Sequence, residues 1–484
     1  MTSKNNLSLV TNKKKEMNKN IKYISGMVLA VLLLITIPAC QSTKQYKSPE
    51  IETEDLFREN TSNDTTTIAS IPWQEYFADA GLRSLIEQGL ANNPDMLIAT
   101  TRIQQAEAAL SMAKVANLPN LTLVANVDKT QVSNGVRGQD VLGYNYKTSY
   151  MLGLSTSWEL DVWGKLKHQS KARYAQLLAT HVGRNLVQTT LIANIANAYY
   201  SLLALDEQLQ VTKETIKLLE ESTATMQALK DGGMLNQAAV EQSKALLYNT
   251  QISIPTIESQ IRELENMICF LVGNKPDGII RSSIRQQSVP QELKAGIPVQ
   301  MLSKRPDVMQ AELAFRSAFE MTGAARANFY PNLSLTGMIG FTPASISNFF
   351  SLENIAANIV GNLAQPIFAK NQIKAQYKIA QAQQQEALLT FEKAVVNAGR
   401  EVSDILFKYE SSLKKNELRI KQVESMTKSV DYTHELLKAG EANYVEVLNA
   451  EQNLLQAQLG QIGDKLEQLQ ASVSLYRALG GGAE

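Results

Sequence analysis

The sequence predicts a mainly α-helical chain with a transmembrane β part: a tandem-duplicated module of long coiled-coil helical hairpins, with four β-strands per chain. Three observations predict it. The first is an internal repeat. Pro94-Asp95 returns as Pro306-Asp307, and Pro119-Asn120-Leu121 returns as Pro331-Asn332-Leu333, each 212 positions further on. Lys230, Gly232, Leu246 and Leu247 recur as Lys438, Gly440, Leu454 and Leu455 at an offset of 208. A unit of this length is far above solenoid periods, so one large module has been duplicated. The second is the absence of proline between Pro119 and Pro255 and after Pro366, which permits very long helices. The third is a set of four alternating apolar and polar segments near residues 121–128, 152–161, 333–341 and 355–363.

The chain opens with a basic stretch (Lys13, Lys14, Lys15, Lys19, Lys22), an apolar run at residues 24–37 and then Pro38-Ala39-Cys40. Residues 1–39 therefore read as a secretory signal peptide, since the apolar core is too short for a membrane span and no stop-transfer charges follow. The sequence Ile37-Pro38-Ala39-Cys40 resembles a bacterial lipobox, which implies covalent lipid on Cys40. Gln41 after it implies sorting to the outer membrane. Cys269 is the one other cysteine, so no disulfide framework is available; in its apolar setting it reads as a small buried hydrophobe. Without residues 1–39 the chain carries 41 basic and 46 acidic residues, a charge of −5. Nucleic-acid binding needs a basic footprint and is not expected.

The first repeat and its N-terminal segment occupy residues 40–297, with strands at about 120–162, a helical hairpin at about 163–272 and a connection at about 273–297. The second repeat occupies 298–484, with strands at about 332–366 and a hairpin at about 367–479. Each long helix, expected at 164–230 and 367–438, would run about 100 Å at 1.5 Å per residue. Val402, Leu406, Tyr409, Leu413, Ile420, Val423, Val430 and Leu437 alternate by threes and fours or sevens, as a coiled-coil seam requires, with Asn416, Thr427 and His434 interrupting it. Leu178, Val182, Asn185, Ile192, Ile195, Tyr199 and Leu202 repeat the spacing in the first module. Lys230-Asp231-Gly232-Gly233 and Lys438-Ala439-Gly440 have the glycine and last-turn lysine of a helix end, so each module is a hairpin with a tight turn. Pro255 should kink or interrupt the first return helix.

The alternating segments are close to the 9–11 residues of a tilted membrane strand, joined by loops at about 129–147 and 342–354. Four strands cannot close a membrane barrel, and a bilayer tolerates no open sheet edge. Three copies would give twelve strands and twelve long helices.

Residues 158–166 (Trp-Glu-Leu-Asp-Val-Trp-Gly-Lys-Leu), Ala295-Gly296-Ile297-Pro298, Arg305-Pro306-Asp307-Val308, Ala311-Glu312 and residues 324–337 resemble the outer-membrane factor family of TolC-like efflux channels, specifically its lipoprotein branch. Residues 73–95 resemble the family's opening segment. The resemblance covers essentially residues 40–479. It implies a homotrimer with a 12-strand outer-membrane β-barrel, a periplasmic α-barrel and an equatorial region built from residues 273–298 and the chain ends. It also implies two partners, a periplasmic adaptor protein and an inner-membrane resistance-nodulation-division pump. By the same resemblance, Lys230, Gly232, Gly233, Lys438 and Gly440 mark adaptor-contact tips, Glu446 takes the first acidic position of a periplasmic constriction, and Asn449 stands where the family has a second.

No catalytic residues are expected. His168, His181 and His434 share no metal-ligand spacing, and neither a nucleophile elbow nor a phosphate loop is present, so no metal or cofactor is expected. Passage through the chain would be passive. The alternatives are the outer-membrane component of a protein-secretion system and, in a different class, a periplasmic coiled-coil structural or adaptor lipoprotein.

Overall fold

The computed structural model describes residues 45–51, 68–132, 145–288 and 304–483. Cys40, the signal segment and the Ala295–Pro298 motif lie outside the described residues. The chain forms two compact units.

The first unit (residues 1–47, 117–168 and 323–373) is built on four strands: β1 (Asn120–Val132), β2 (Asn145–Leu160), β3 (Asn332–Phe341) and β4 (Ile355–Ala364). They form an antiparallel meander in the order β1-β2-β3-β4. The first hairpin extends further than the alternation suggested. Residues 129–132 pair with 148–145, so the expected loop at 129–147 narrows to the segment between the strands. Polar residues there continue the ladder because backbone pairing needs no apolar side chain.

Register sorts the side chains into two faces. Leu123, Leu154, Ile339 and Ala357 stand opposite one another across the four strands, as do Leu121, Thr156, Gly337 and Ile359, and Ala125, Leu152, Phe341 and Ile355. These rows form one apolar face, while Thr122, Ser155, Met338 and Asn358, with Asn126, Ser157, Thr336 and Asn362, belong to the other. Leu121, Leu123 and Ile359 are 71%, 69% and 80% exposed: the apolar face is bare within one chain. Ten residues at about 3.4 Å each, tilted about 40°, span about 26 Å, close to the ~25 Å apolar band of a membrane barrel.

The segment after β2 explains the Trp158–Leu166 motif. Asp161 accepts the N–H groups of Leu166 (3.0 Å) and Lys167 (2.8 Å), capping the next helix. Gly164 turns the chain at φ +76°. Trp163 donates its indole N–H to the Pro331 carbonyl (2.7 Å) and stacks on Tyr330 at 4.8 Å.

The second unit (residues 48–116, 169–322 and 374–484) contains most of seven helices: α1 (Ala80–Asn92), α2 (Pro94–Val115), α3 (Lys165–Asp231), α4 (Gln237–Leu271), α5 (Pro306–Ala327), α6 (Gln372–Ala439) and α7 (Tyr444–Ala478). α3 and α6 have 67 and 68 residues, and their return helices have 35 each. α4 continues through Pro255 without interruption: the residue removes one hydrogen bond of the helix but does not end it.

The main core joins Phe77, Leu82 and Ile86 to Ile192, Ile195, Tyr199 and Leu202 of α3, Phe391, Val395 and Val402 of α6, and Leu469, Val473 and Tyr476 of α7. The two described chain ends meet there, with Tyr76 stacked on Tyr476 at 4.2 Å and the Tyr476 hydroxyl on the Ile71 carbonyl (2.7 Å). Midway along α6 the predicted seam is interrupted: Leu413 and Ile420 are exposed, while Tyr409 before them and Val430 and Leu437 after them are buried. Polar contacts with α7 replace them. Arg419 pairs with buried Asp464 (2.8 Å), Lys415 reaches Asp464 (3.2 Å), and Gln468 donates to the Ser412 carbonyl (3.1 Å). In that stretch charged and amide positions face inward, and each finds a partner on the neighbouring helix.

Asp79 ties α1 to α3 and to the segment at residues 282–287. It caps α1 through the Leu82 N–H (3.0 Å) and accepts hydrogen bonds from Tyr199 (3.0 Å), Gln287 (2.7 Å) and Ser282. Burial opposes its ionisation, but the hydrogen bonds from Ser282, Leu82, Gln287 and Tyr199 outweigh that, holding its pKa below the ordinary value.

Two predictions follow from this geometry. Leu154→Arg, in the middle of the apolar face, should cost about 2–4 kcal/mol of stability in a bilayer, whereas Ser155→Arg on the polar face should assemble normally; equal loss of folded protein in lipid would contradict the two-faced sheet. Because the Asp79 pKa is lowered, its stabilisation is present above the unfolded value of about 3.9 and is lost as pH falls through the folded value. Asp79→Asn should therefore unfold at lower temperature at pH 7 and show a flatter loss of stability below about pH 4 than the parent, measured by thermal unfolding in detergent.

Candidate functional site

The two hairpin turns use one device. In the first, the Gly233 N–H bonds the Lys230 carbonyl (2.9 Å) and the Met234 N–H bonds the Leu229 carbonyl (2.8 Å). In the second, Gly440 bonds Leu437 (3.1 Å) and Glu441 bonds Leu436 (2.9 Å). Each is a Schellman end, which needs a left-handed residue, and Gly233 and Gly440 have φ of +76° and +77°. The structural equivalent of Gly440 is thus Gly233, at an offset of 207, and not Gly232 as the letter match suggested. Asn236 and Asn443, also 207 apart, cap the return helices through Ala239 N–H (3.1 Å) and Val445 N–H (3.2 Å).

A small apolar cluster binds the turns to each other: Met226 of α3, Val240 of α4, Leu437 of α6, and Val447 and Leu448 of α7. The four helices therefore end in one unit rather than in two independent tips. Lys230 lies in the last turn of α3 beside Asp231 (3.4 Å), and Lys438 is exposed in the last turn of α6.

Glu446 stands in the first turn of α7, where a carboxylate is favoured by the helix dipole. With Val447 and Leu448 buried, Glu446 and Asn449 share the exposed face of that helix, three residues apart. Of residues 444–456 only Glu446 and Glu451 are charged. Glu451 is turned inward, 2% exposed, against His434 at 2.8 Å; this is the packing role that the seam position of His434 suggests. In the first hairpin the carboxylate of Glu241 is neutralised by Lys244 at 3.2 Å. No ion pair involves Glu446 among the described residues, so it presents a net negative charge at the turn end of the bundle.

Sequence reasoning missed the second set of contacts that positions these helices. Arg305, buried at 4%, donates to the Ala478 carbonyl (2.7 Å) and pairs with Asp307 and Glu401 (both 2.7 Å). Arg281 lies between Asp206 and Glu265 (both 2.5 Å). Arg305 opens a recognised motif, but the signal gives no partner, because Glu401 and Ala478 are remote in sequence. Among the described residues no cluster of metal-ligating side chains occurs and no helix is long and apolar enough to cross a membrane.

The sequence pattern of the family described as "Outer membrane efflux protein" matches residues 85–274 and 297–481, one segment per repeat. The cation efflux system protein CusC of Escherichia coli K12 is 27% identical over 461 residues, covering 94% of this chain and 99% of CusC. The probable outer membrane lipoprotein SilC of Salmonella typhimurium is 26% identical, covering 94% of this chain and 98% of SilC. A crystal structure of CusC superposes with a TM-score of 0.81 at 26% identity, covering 91% of this chain and 99% of that one. The match across both repeats, on a fold that joins a four-stranded meander to two long helical hairpins, leads to one conclusion: the chain belongs to the outer membrane efflux protein family.

Proposed function

We propose that three copies assemble into the outer-membrane exit channel of a tripartite efflux pump, a passive conduit for small molecules from the periplasm to the outside. The observation that carries this reading is the open meander. β1 and β4 have no partner on their outer edges within the described chain, and one face of the sheet is apolar. Three sheets joined edge to edge make a 12-strand barrel with that face toward lipid and the serine, threonine and asparagine face toward a wet lumen. The long helices then form a tube below the membrane.

The channel does no chemistry on its cargo. Its driving force comes from an inner-membrane resistance-nodulation-division pump, reached through a periplasmic adaptor that docks on the turns around Lys230, Gly232, Gly233, Lys438 and Gly440. Glu446 forms a ring of three carboxylates where the tube narrows, with Asn449 as an uncharged second ring. Three like charges in a confined mouth focus a negative potential and favour cations. Cys40 carries covalent lipid, and its chain assists an attachment made mostly by the barrel, since one acyl chain anchors marginally.

In planar bilayers, Glu446→Gln should lower cation selectivity and change resting conductance, while Gly440→Val should leave selectivity largely intact but spoil the left-handed turn by at least about 1–2 kcal/mol and weaken adaptor binding. Unchanged selectivity and divalent-cation block in assembled Glu446→Gln would make the residue a solvated helix charge. For the anchor, mass spectrometry of the mature protein should find lipid on Cys40 and none in Cys40→Ala. A mature form of unmodified mass would contradict the lipobox.

A further inference from the structure

The β3–β4 loop, residues 342–354, takes no part in the channel reading so far. Its sequence, Thr-Pro-Ala-Ser-Ile-Ser-Asn-Phe-Phe-Ser-Leu-Glu-Asn, contains one charged residue, Glu353. Single exposed apolar side chains are ordinary, but a contiguous group of them marks a contact surface. This loop presents Ile346, Phe350 and Leu352 at 65%, 70% and 82% exposure.

The aromatic residues grow from a definite face. Phe349 meets Tyr150 edge-on at 6.5 Å, Phe350 meets Phe341 at 5.5 Å, and the two phenylalanines are 5.1 Å apart. Phe341 stands opposite Leu152, and Tyr150 opposite Val127, on the apolar side of the sheet. The ledge thus continues the apolar face past the end of the strands, not the polar one.

The loop also satisfies much of its own backbone. Thr342 N–H bonds the Asn354 carbonyl (2.9 Å), Tyr150 N–H the Pro343 carbonyl (3.2 Å), and Phe349, Ser351 and Asn354 close short turns onto Ile346, Asn348 and Ser351 (3.3, 3.2 and 3.0 Å). The Asn354 side chain caps the Asn348 carbonyl (2.6 Å). Internal pairing of this kind lowers the cost of bringing irregular backbone to the edge of hydrocarbon, where each unpaired polar group is penalised.

We propose that this loop is a membrane foot: Ile346, Phe349, Phe350 and Leu352 insert at the acyl–headgroup boundary of the outer leaflet and fix the depth of the barrel rim. Its partner is lipid. Aromatic and aliphatic side chains on a weakly charged segment prefer that boundary, and three copies set three feet around the rim. The inference rests on the barrel reading, because the apolar face must meet lipid for its continuation to do so. The competing arrangement has the loop folded inward across the exit mouth, in water.

The test uses the full chain in a Cys269→Ala background, with an environment-sensitive fluorophore on Leu352→Cys, on Leu154→Cys in the apolar face, or on Asn358→Cys in the polar face. Each assembly is reconstituted in phosphatidylcholine vesicles and quenched by lipid carrying a shallow nitroxide or by aqueous iodide. The label at 352 should lose fluorescence to the nitroxide lipid and resist iodide, as at 154 and unlike 358. Quenching at 352 by iodide but not by nitroxide lipid, with 154 still lipid-quenched, overturns the foot. Iodide quenching at 154 itself overturns the barrel reading instead.

Discussion

Two sheet edges, unpaired among the described residues, govern this molecule. β1 presents thirteen residues of free edge and β4 ten, and each unsatisfied backbone group would cost several kcal/mol in hydrocarbon. A soluble protein hides such edges with charge, proline or a covering loop; here the flanking face is apolar instead, so neither water nor lipid suits one chain by itself. Closure across copies satisfies the edges and the face at once. The capped segment at Asp161 and Gly164 runs β2 directly into α3, so each copy that adds four strands adds its long helices as well.

The duplication supplies that arrangement economically. α2 and α5 are 22 residues each and lie 212 apart, whereas α4 and α7 lie 207 apart; the repeats differ by five residues between these points. Asn93 caps α2 and donates to the Leu271 carbonyl at 2.9 Å. Its counterpart Arg305 donates to the Ala478 carbonyl, the counterpart of Leu271, and adds pairs with Asp307 and Glu401. The halves have diverged in how their hairpins are held. Asp464 of α7, clasped by Arg419 and Lys415, stands where α4 has Ile257, and Ile462 stands where α4 has Pro255. The second hairpin is cross-linked directly by Arg419 and Lys415 on Asp464 and bears Glu446; the first is bridged through Arg281, which holds Asp206 of α3 and Glu265 of α4, and pairs its own carboxylate at Glu241 with Lys244.

Long helices, glycine turns and four strands were legible because each depends on local sequence: proline-free heptads, glycine after lysine, and alternation. What was not legible depends on geometry. Gly232 and Gly233 are the same letter, and only backbone angle distinguishes the left-handed one. Leu413 and Ile420 fit the same heptad as buried Val430 and Leu437 yet are exposed, because α7 meets that stretch through Asp464 and Gln468, which no local pattern announces. Asp79 gathers Tyr199, Ser282 and Gln287 from more than a hundred residues away, and nothing near Asp79 in sequence announces them. Glu446 was visible through resemblance; that no ion pair engages it among the described residues, and that Glu451 is turned inward onto His434, required the fold.

The most direct test of the account is the number of chains in the detergent-extracted, folded assembly, counted by native mass spectrometry and by cross-linking. Three chains are expected, with no larger cross-linked species and no folded monomer. A stable monomeric barrel, or an assembly of any other size, would contradict it, because the open edges of β1 and β4 would then be satisfied in some other way.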